Sequence, residues 1–249
     1  TGSANLMWQN GPLFGILICM GAPIGMLLLY LVSGRIRQAT TYTIPELFEI
    51  RYGTAARVIA TICIVLGYIG ILSSQFKAAG YLVNLTTGME LEAATICCGI
   101  IMLVLAVTGG MISVAYTDAM SAFLFVGGFL ISIPILASKI DGGFIGMFQN
   151  LPAEKSTFFG NLNTIQALGY IVPTFFLILG DQNMIQRMGA AKDVKTAKKA
   201  GLGLFFSEIL VCALIILMVT TGIYLLPELE KPDTVIFQLG INFLPPIIG

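Results

Sequence analysis

The segment 189–219, GAAKDVKTAKKAGLGLFFSEILVCALIILMV, decides the fold. Four lysines lie within its first eleven residues, and the apolar run over 200–226 that follows carries one charge, Glu208. About 20 apolar residues suffice for a helix to cross the hydrocarbon core of a bilayer. The segment therefore predicts a membrane-spanning helix whose lysine-rich end lies at one membrane surface.

Five more stretches have the same length and character: 12–34, 57–83, 92–109, 118–138 and 164–186. The chain is 57% hydrophobic and only 10% charged, with a mean hydropathy of +0.91, whereas soluble domains carry about 25% charged residues. We therefore predict an all-α polytopic membrane protein with about six full transmembrane helices. Residues 1–11 look like the end of an earlier span and 244–249 like the start of a later one, so 1–249 is expected to be one incomplete transmembrane domain.

The basic residues divide the loops into two sets. Nine lie in the loops 35–57 and 187–199, and three lie in the opposite loops, at Lys139, Lys155 and Lys231. Because lysine and arginine concentrate in cytoplasmic loops, the first set is predicted at the inner face, together with Asp118. The lysines at 192, 195 and 199 have the spacing of one helical face, for which anionic lipid headgroups are the expected partner.

A second inner segment, TIPELFEIRYG (43–53), has the signature of a short surface helix. Thr43 and Glu46 have capping-box spacing, Pro45 falls in the first turn, and Gly53 is a stop signal.

Other function classes are excluded by composition. The zero net charge argues against nucleic acid, and the absence of histidine excludes histidine-based metal sites and catalysis. No span combines the acids and nucleophile that a membrane enzyme needs.

Glu208 is the most informative polar residue within the spans, since intramembrane charge is costly and usually functional. It lies nine positions past Lys199, about 13 Å along a helix, which places it near mid-depth. A protonated or water-bound structural glutamate is the alternative.

Gln75 ends a row of three polar residues, SSQ (73–75), which are not expected all to face lipid. Thr174 follows Pro173, which fits either a broken helix with free carbonyls or a hydroxyl bonded back to its own helix.

Two further polar features allow two interpretations each. Residues 1–11, TGSANLMWQNG, fit either an unwound helix segment that lines a cavity or a plain loop. Asp118 closes the polar part of GGMISVAYTDAM (109–120) just before an apolar run. It is either an ordinary acid at a helix N-terminus or part of a path for a cation.

Three motifs together carry a resemblance: YTIPELFEIRYGTAARVIA (42–60), GGMISVAYTDAM (109–120) and QNMIQRMGAAKDVKTAKK (182–199). In order and spacing they resemble the sodium:solute symporter family, whose members share the LeuT-like inverted-repeat fold. The resemblance implies that the six spans are core helices two to seven. It also implies that residues 1–10 end the first core helix and that 244–249 open the eighth.

The resemblance implies a sodium site built from carbonyls of the first core helix and hydroxyls of the eighth. Gly2 matches one carbonyl position, and the hydroxyl residues would lie beyond Gly249. Asp118 matches an acid proposed in some members to bind a second cation or line its exit. Tyr116 and Ser121 depart from the family's pattern around that acid.

The resemblance also implies positions for the solute. The sugar-transporting branch uses a glutamine of the first core helix, an asparagine and a gating tyrosine of the sixth, and a lysine of the seventh. In this sequence these positions fall near Asn5 or Leu6 and at Thr174, Leu177 and Glu208. None of the sugar ligands is kept, and an acid replaces a base, so an amine or amide is expected rather than a sugar.

Gln75 is counted with these positions as a candidate solute ligand. The predicted function is symport of a small organic solute across the cell membrane by alternating access, with Na⁺ as the coupling ion and no enzymatic activity. Two alternatives stay open here. One is proton coupling through Glu208 or Asp118, and the other is a channel or sensor on the same fold.

Overall fold

The computed structural model describes residues 2–38, 43–149, 151–159 and 162–245, and within these ranges every regular element is a helix. Short 3₁₀ turns lie at Ala153–Lys155 and Pro232–Thr234. The α-helices are α1 (Gly2–Asn10), α2 (Pro12–Cys19), α3 (Gly21–Gln38), α4 (Ile44–Tyr52), α5 (Thr54–Thr87), α6 (Leu91–Ala137), α7 (Gly143–Gln149), α8 (Thr164–Leu179), α9 (Gln182–Gly189), α10 (Val194–Leu225) and α11 (Val235–Phe243).

Six helical stretches are long and apolar enough to cross a membrane: Pro12–Gln38, Thr54–Thr87, Leu91–Gly110, Ser113–Ala137, Thr164–Gly189 and Val194–Leu225. They coincide with the six predicted spans, which confirms the all-α polytopic architecture. The segment that carries Glu208 is one continuous helix, α10.

Helix breaks occur where a residue cannot continue the helix. Gly110 has φ 60 and ψ 179 inside α6 and separates two spans there. Gly11 has φ 97 between α1 and α2, and a Cβ at Gly11 would collide with the backbone carbonyl of Lys155. Both positions need glycine because other residues rarely adopt positive φ. The break near the N-terminus therefore falls at Gly11, and α1 is helical where an unwound segment or a loop was expected.

Two expectations at the predicted inner face need correction. The fourth span begins at Ser113, so Asp118 lies five residues inside the helix and not at its start. Helix α10 begins at Val194, so Lys192 lies in the preceding turn and does not share a helical face with the later lysines. Asp193 accounts for this start, because its Oδ1 accepts a hydrogen bond from the Thr196 amide at 2.6 Å, the geometry of an N-cap.

The short surface helix α4 forms as the sequence predicts. Thr43 Oγ1 accepts from the Glu46 amide at 3.4 Å, and Glu46 Oε2 accepts from the Thr43 amide at 3.2 Å, which completes a capping box. Gly53, with φ 85, ends the helix. The Ile44 amide also donates to Gln182 Oε1 at 2.8 Å, and this bond ties α4 to α9.

The chain divides into two compact units. The first consists of Thr1–Trp8, Tyr68–Leu151 and Leu217–Gly249, and the second consists of Gln9–Gly67 and Pro152–Ile216. The second unit is organised by the packing of α3 along α8. A Cβ at Gly21 would lie 2.7 Å from the Ile171 carbonyl oxygen, and a Cβ at Gly25 would lie 3.0 Å from Ile178 Cβ. This pair of small residues, four positions apart, permits the close helix approach.

Candidate functional site

Glu208 is half-buried on α10 in the second unit. Its Oε1 accepts a hydrogen bond from Cys212 Sγ, one turn further along, at 3.7 Å. Cys212 lines a cavity together with Cys19, the last residue of α2. Because thiols are weak donors, this carboxyl group keeps most of its capacity to accept hydrogen bonds from a stronger donor.

The two cysteines are a feature that the sequence analysis did not identify. The helical spacing offered a signal. Cys212 is four residues after Glu208 and therefore shares its face of α10. No comparable signal placed Cys19 at the same cavity as Cys212, because this depends on how α2 and α10 lie within the unit.

A cavity of ≈ 450 Å³ lies beside the thiols, between α2–α3 and α10. Cys19, Met20, Pro23, Phe205 and Cys212 contribute to its walls, and no lining side chain carries a nitrogen or oxygen atom. Its volume suits a small ligand. Its walls, however, lack the polar groups that orient a hydrophilic solute, and Glu208 does not line it. Glu208 is therefore a stronger solute candidate than the cavity.

Thr174 uses its hydroxyl within its own helix. Thr174 Oγ1 donates to the Tyr170 carbonyl at 2.8 Å, and α8 continues through Pro173 without interruption. This is the second of the two predicted alternatives, and it leaves only the oxygen lone pairs for a ligand. A Cβ at Gly21 would lie 3.2 Å from Thr174 Cβ, so the residue packs against α3. Leu177, one turn further on, is exposed and offers only apolar contact.

Asn5 has an unusual environment in the first unit. Its Oδ1 is buried and has no hydrogen-bond partner among the described residues of the chain. The neighbouring Ala4 and Met7 are almost fully buried. A buried acceptor without a partner costs free energy, and a ligand N–H or O–H would satisfy it. Leu6 follows on the same helix and has no polar side-chain atom.

The remaining predicted residues are on exposed or terminal positions of the first unit. Gln75 is exposed on α5, and so are the two serines before it; Ser74 donates to the Ile71 carbonyl of its own helix at 2.7 Å. Asp118 is exposed on α6, and Gly2 is the first residue of α1. Across the described residues there is no group of three or more histidine, cysteine or acidic side chains that could hold a metal ion.

Six apolar helices with one half-buried acid near the middle of a span define a multi-pass integral membrane protein. The model of the sodium:solute symporter family matches residues 2–248. The chain therefore belongs to this family of cell-membrane transporters, which are not enzymes, and the resemblance carried by the three motifs is confirmed.

Three curated relatives are similar to the chain over part of their length. The uncharacterized symporter YwcA of Bacillus subtilis is 28% identical over 188 residues, which cover 70% of this chain and 35% of that protein. The sodium/glucose cotransporter of Vibrio parahaemolyticus is 28% identical over 73% of the chain and 36% of its own length. The uncharacterized symporter YidK of Escherichia coli is 24% identical over 83% and 40%. The chain thus spans little more than a third of the curated relatives it matches.

Proposed function

We propose that the protein is part of a sodium-coupled symporter that moves a small organic solute across the cell membrane by alternating access. The observation that carries the proposal is Glu208, an ionisable group kept half-buried inside an apolar span. Its hydrogen bond among the described residues is a weak one from a thiol. Membership of the symporter family supports the transport class.

Sodium is the proposed coupling ion. The Gly2 carbonyl would contribute to the main sodium site, and Asp118 would serve as a second cation site or as part of the exit path. Sodium binding would favour the outward-open state, and inward rocking of the helices would release both sodium and solute. A charge that crosses the full membrane field gains about 2.3 kcal/mol per 100 mV, which adds to the free energy of the sodium concentration gradient in driving accumulation.

The proposed solute is an amine or a carboxamide. Glu208 and the Asn5 carboxamide oxygen are both hydrogen-bond acceptors, and each lacks a strong donor among the described residues. Thr174 and Leu177 would contribute packing, as would Leu6, and Gln75 would contribute a polar contact. The glucose in the name of the Vibrio parahaemolyticus relative is a property of that protein. It is not carried over, since the residues at the sugar-ligand positions differ here.

We also propose that the basic segment 192–199, which runs from the turn before α10 into the start of that helix, contacts anionic lipid headgroups at the inner face. Lys192, Lys195, Lys198 and Lys199 are all exposed, and they stand at the edge of an apolar span. Each basic residue near an anionic membrane surface contributes roughly 1 kcal/mol of attraction.

Uptake by the full-length protein in liposomes tests the transport proposal. Labelled ethanolamine, glycinamide, succinate and glucose serve as probes, with an inward sodium gradient or with potassium in its place. We expect ethanolamine or glycinamide to accumulate only with the sodium gradient. Accumulation that survives potassium replacement but is abolished by a protonophore would establish proton coupling instead. Entry without accumulation would indicate a channel.

A further inference from the structure

A small cleft lies at the N-terminal end of α10, where this helix meets α3 in the second unit. It has a volume of ≈ 420 Å³ and is lined by Tyr30, Val194, Lys195, Lys198, Lys199 and Leu202. Three of these six side chains are lysines, and the other three give the cleft an aromatic and aliphatic wall. The lining of the cleft therefore combines positive charge with apolar surface.

The two helices that form the cleft, α3 and α10, contact each other next to it. A Cβ at Gly201 would lie 3.2 Å from Tyr30 Cα, and a Cβ at Gly34 would lie 3.2 Å from Val194 Cγ1. The two helices thus contact each other at two glycines, Gly201 of α10 against the Tyr30 backbone and Gly34 of α3 against the Val194 side chain. Ala197, between the lysines, is fully buried against this contact. The lysines are consequently carried by the part of α10 that contacts α3.

The positive charge of the cleft is mostly uncompensated. None of the three lysines has an ion pair within the part of the chain that the structure describes. Asp193 is the acid in the adjacent turn, and its Oδ1 is bonded to the Thr196 amide. That hydrogen bond holds the pKa of Asp193 below its usual range, with a smaller contribution from Lys199. One carboxylate against three ammonium groups leaves an excess of positive charge, to which the α10 N-terminus adds.

We propose that this cleft binds the phosphate group of one anionic phospholipid of the inner leaflet, a site that refines the proposed headgroup contact and rests on it. Lysine ammonium groups bind phosphate as compact point charges. Tyr30, Val194 and Leu202 provide the apolar wall that the glycerol and the first acyl carbons require. The site lies where the charged segment gives way to the apolar run of α10, the depth of a lipid phosphate. A soluble anion would leave the apolar wall unused.

Lipid binding to the full-length protein tests this site. Nanodiscs of phosphatidylcholine alone, or of equimolar phosphatidylcholine and phosphatidylglycerol, provide the two membranes. Retained lipid is counted by native mass spectrometry after mild detergent extraction. The cleft variant is Lys195→Gln/Lys198→Gln/Lys199→Gln. The matched control is Lys139→Gln/Lys155→Gln/Lys231→Gln, which removes the same charge from the opposite loops, outside the cleft.

We expect wild type and control to retain phosphatidylglycerol equally and the cleft variant to bind it more weakly, by roughly fivefold per lysine and on the order of a hundredfold in all. Equal loss in both variants would overturn the cleft and leave diffuse headgroup attraction intact. Displacement of the lipid by millimolar inorganic phosphate would overturn the lipid assignment in favour of a soluble anion.

A measurement on the wild-type protein does not depend on the folding of the variants. Photoactivatable phosphatidylglycerol, with its reactive group near the headgroup, is expected to label the peptides that contain Tyr30 and Leu202. Labelling spread evenly over the basic loops, or absent from both peptides, would contradict the proposal. Phosphatidylcholine with the same reactive group is the control probe and is expected to label these peptides weakly.

Discussion

At Glu208 the chain keeps a carboxyl group inside an apolar helix, a position where membranes impose a large cost on charge. The structure gives this group only a weak thiol donor, Cys212, among the described residues. A strongly bonded structural acid would have an arginine, a lysine or several amide donors around it. The free acceptor capacity of Glu208 is therefore the property that a solute with donor groups would use.

The change Glu208→Gln tests this role. Glutamine keeps the shape and a carbonyl acceptor but removes the charge, so the affinity for a cationic amine is expected to fall. Hydrogen bonds to charged groups contribute about 1.5–3 kcal/mol, which corresponds to about ten- to hundredfold in affinity. Concentration-dependent ethanolamine uptake measures the effect, and Glu92→Gln, an exposed acid at the start of α6, is the control. Unchanged affinity in the Glu208 variant would exclude Glu208 from the solute site.

Replacing Asn5 is expected to lower the affinity for the solute without lowering the melting temperature of the protein. Its Oδ1 has no partner among the described residues, so Asn5→Leu removes no internal hydrogen bond and is expected to leave the melting temperature unchanged or raised. Solute affinity is expected to fall about fivefold, the contribution of one ordinary hydrogen bond.

The contrasting control for this prediction is Asn84→Ala. The Asn84 amide donates to the Met89 carbonyl at 2.7 Å, so its loss is expected to lower the melting temperature without affecting solute affinity. Thermal melts and uptake are measured on both variants. A lower melting temperature with normal uptake for Asn5→Leu would show that Asn5 is structural.

At the residue scale the sequence identified Glu208, because the apolar residues on either side of it in the chain already show that it lies inside a membrane span. It did not place Cys19 and Cys212 at the same cavity, which depends on helix packing. It left two choices at Thr174, and only the 2.8 Å bond to Tyr170 decided between them. Buried atoms without partners, such as Asn5 Oδ1, also depend on what surrounds a helix, and this information is not in the residue's immediate sequence.

At the scale of elements, glycines decide how closely α3 approaches α8. Gly21→Ala would bring a methyl group within 2.7 Å of the Ile171 carbonyl oxygen, and overpacking of this kind typically costs about 1–3 kcal/mol. We expect a lower melting temperature for the purified protein. Gly67→Ala in α5 is the control, because a Cβ there meets nothing within 4 Å. A Gly21→Ala protein as stable as the Gly67→Ala protein would refute the close-packed α3–α8 contact.

Spans and caps were predictable, because they depend on composition and on residues three or four apart. The capping box at Thr43 and the stop at Gly53 are of this kind. Break positions were less predictable. Pro173 does not interrupt α8, whereas Gly11 and Gly110 interrupt the helical conformation because each has a positive φ. A glycine permits such a conformation without requiring it, so the surrounding structure determines which glycines use it.

At the scale of the whole molecule, family membership and six spans define a transporter core, and coupling between sodium and solute is the central functional claim. Coupling is reciprocal: if sodium drives the solute, a solute gradient must also drive sodium. The full-length protein in liposomes, with equal sodium on both sides, allows this to be measured. Labelled sodium reports the movement, and an inward gradient of ethanolamine or glycinamide supplies the force.

We predict that the solute gradient alone drives labelled sodium into the vesicles above its equilibrium level, and that glucose does not. Vesicles without protein set the background. Solute entry with no net movement of sodium would contradict the claim that this protein is a sodium-coupled symporter.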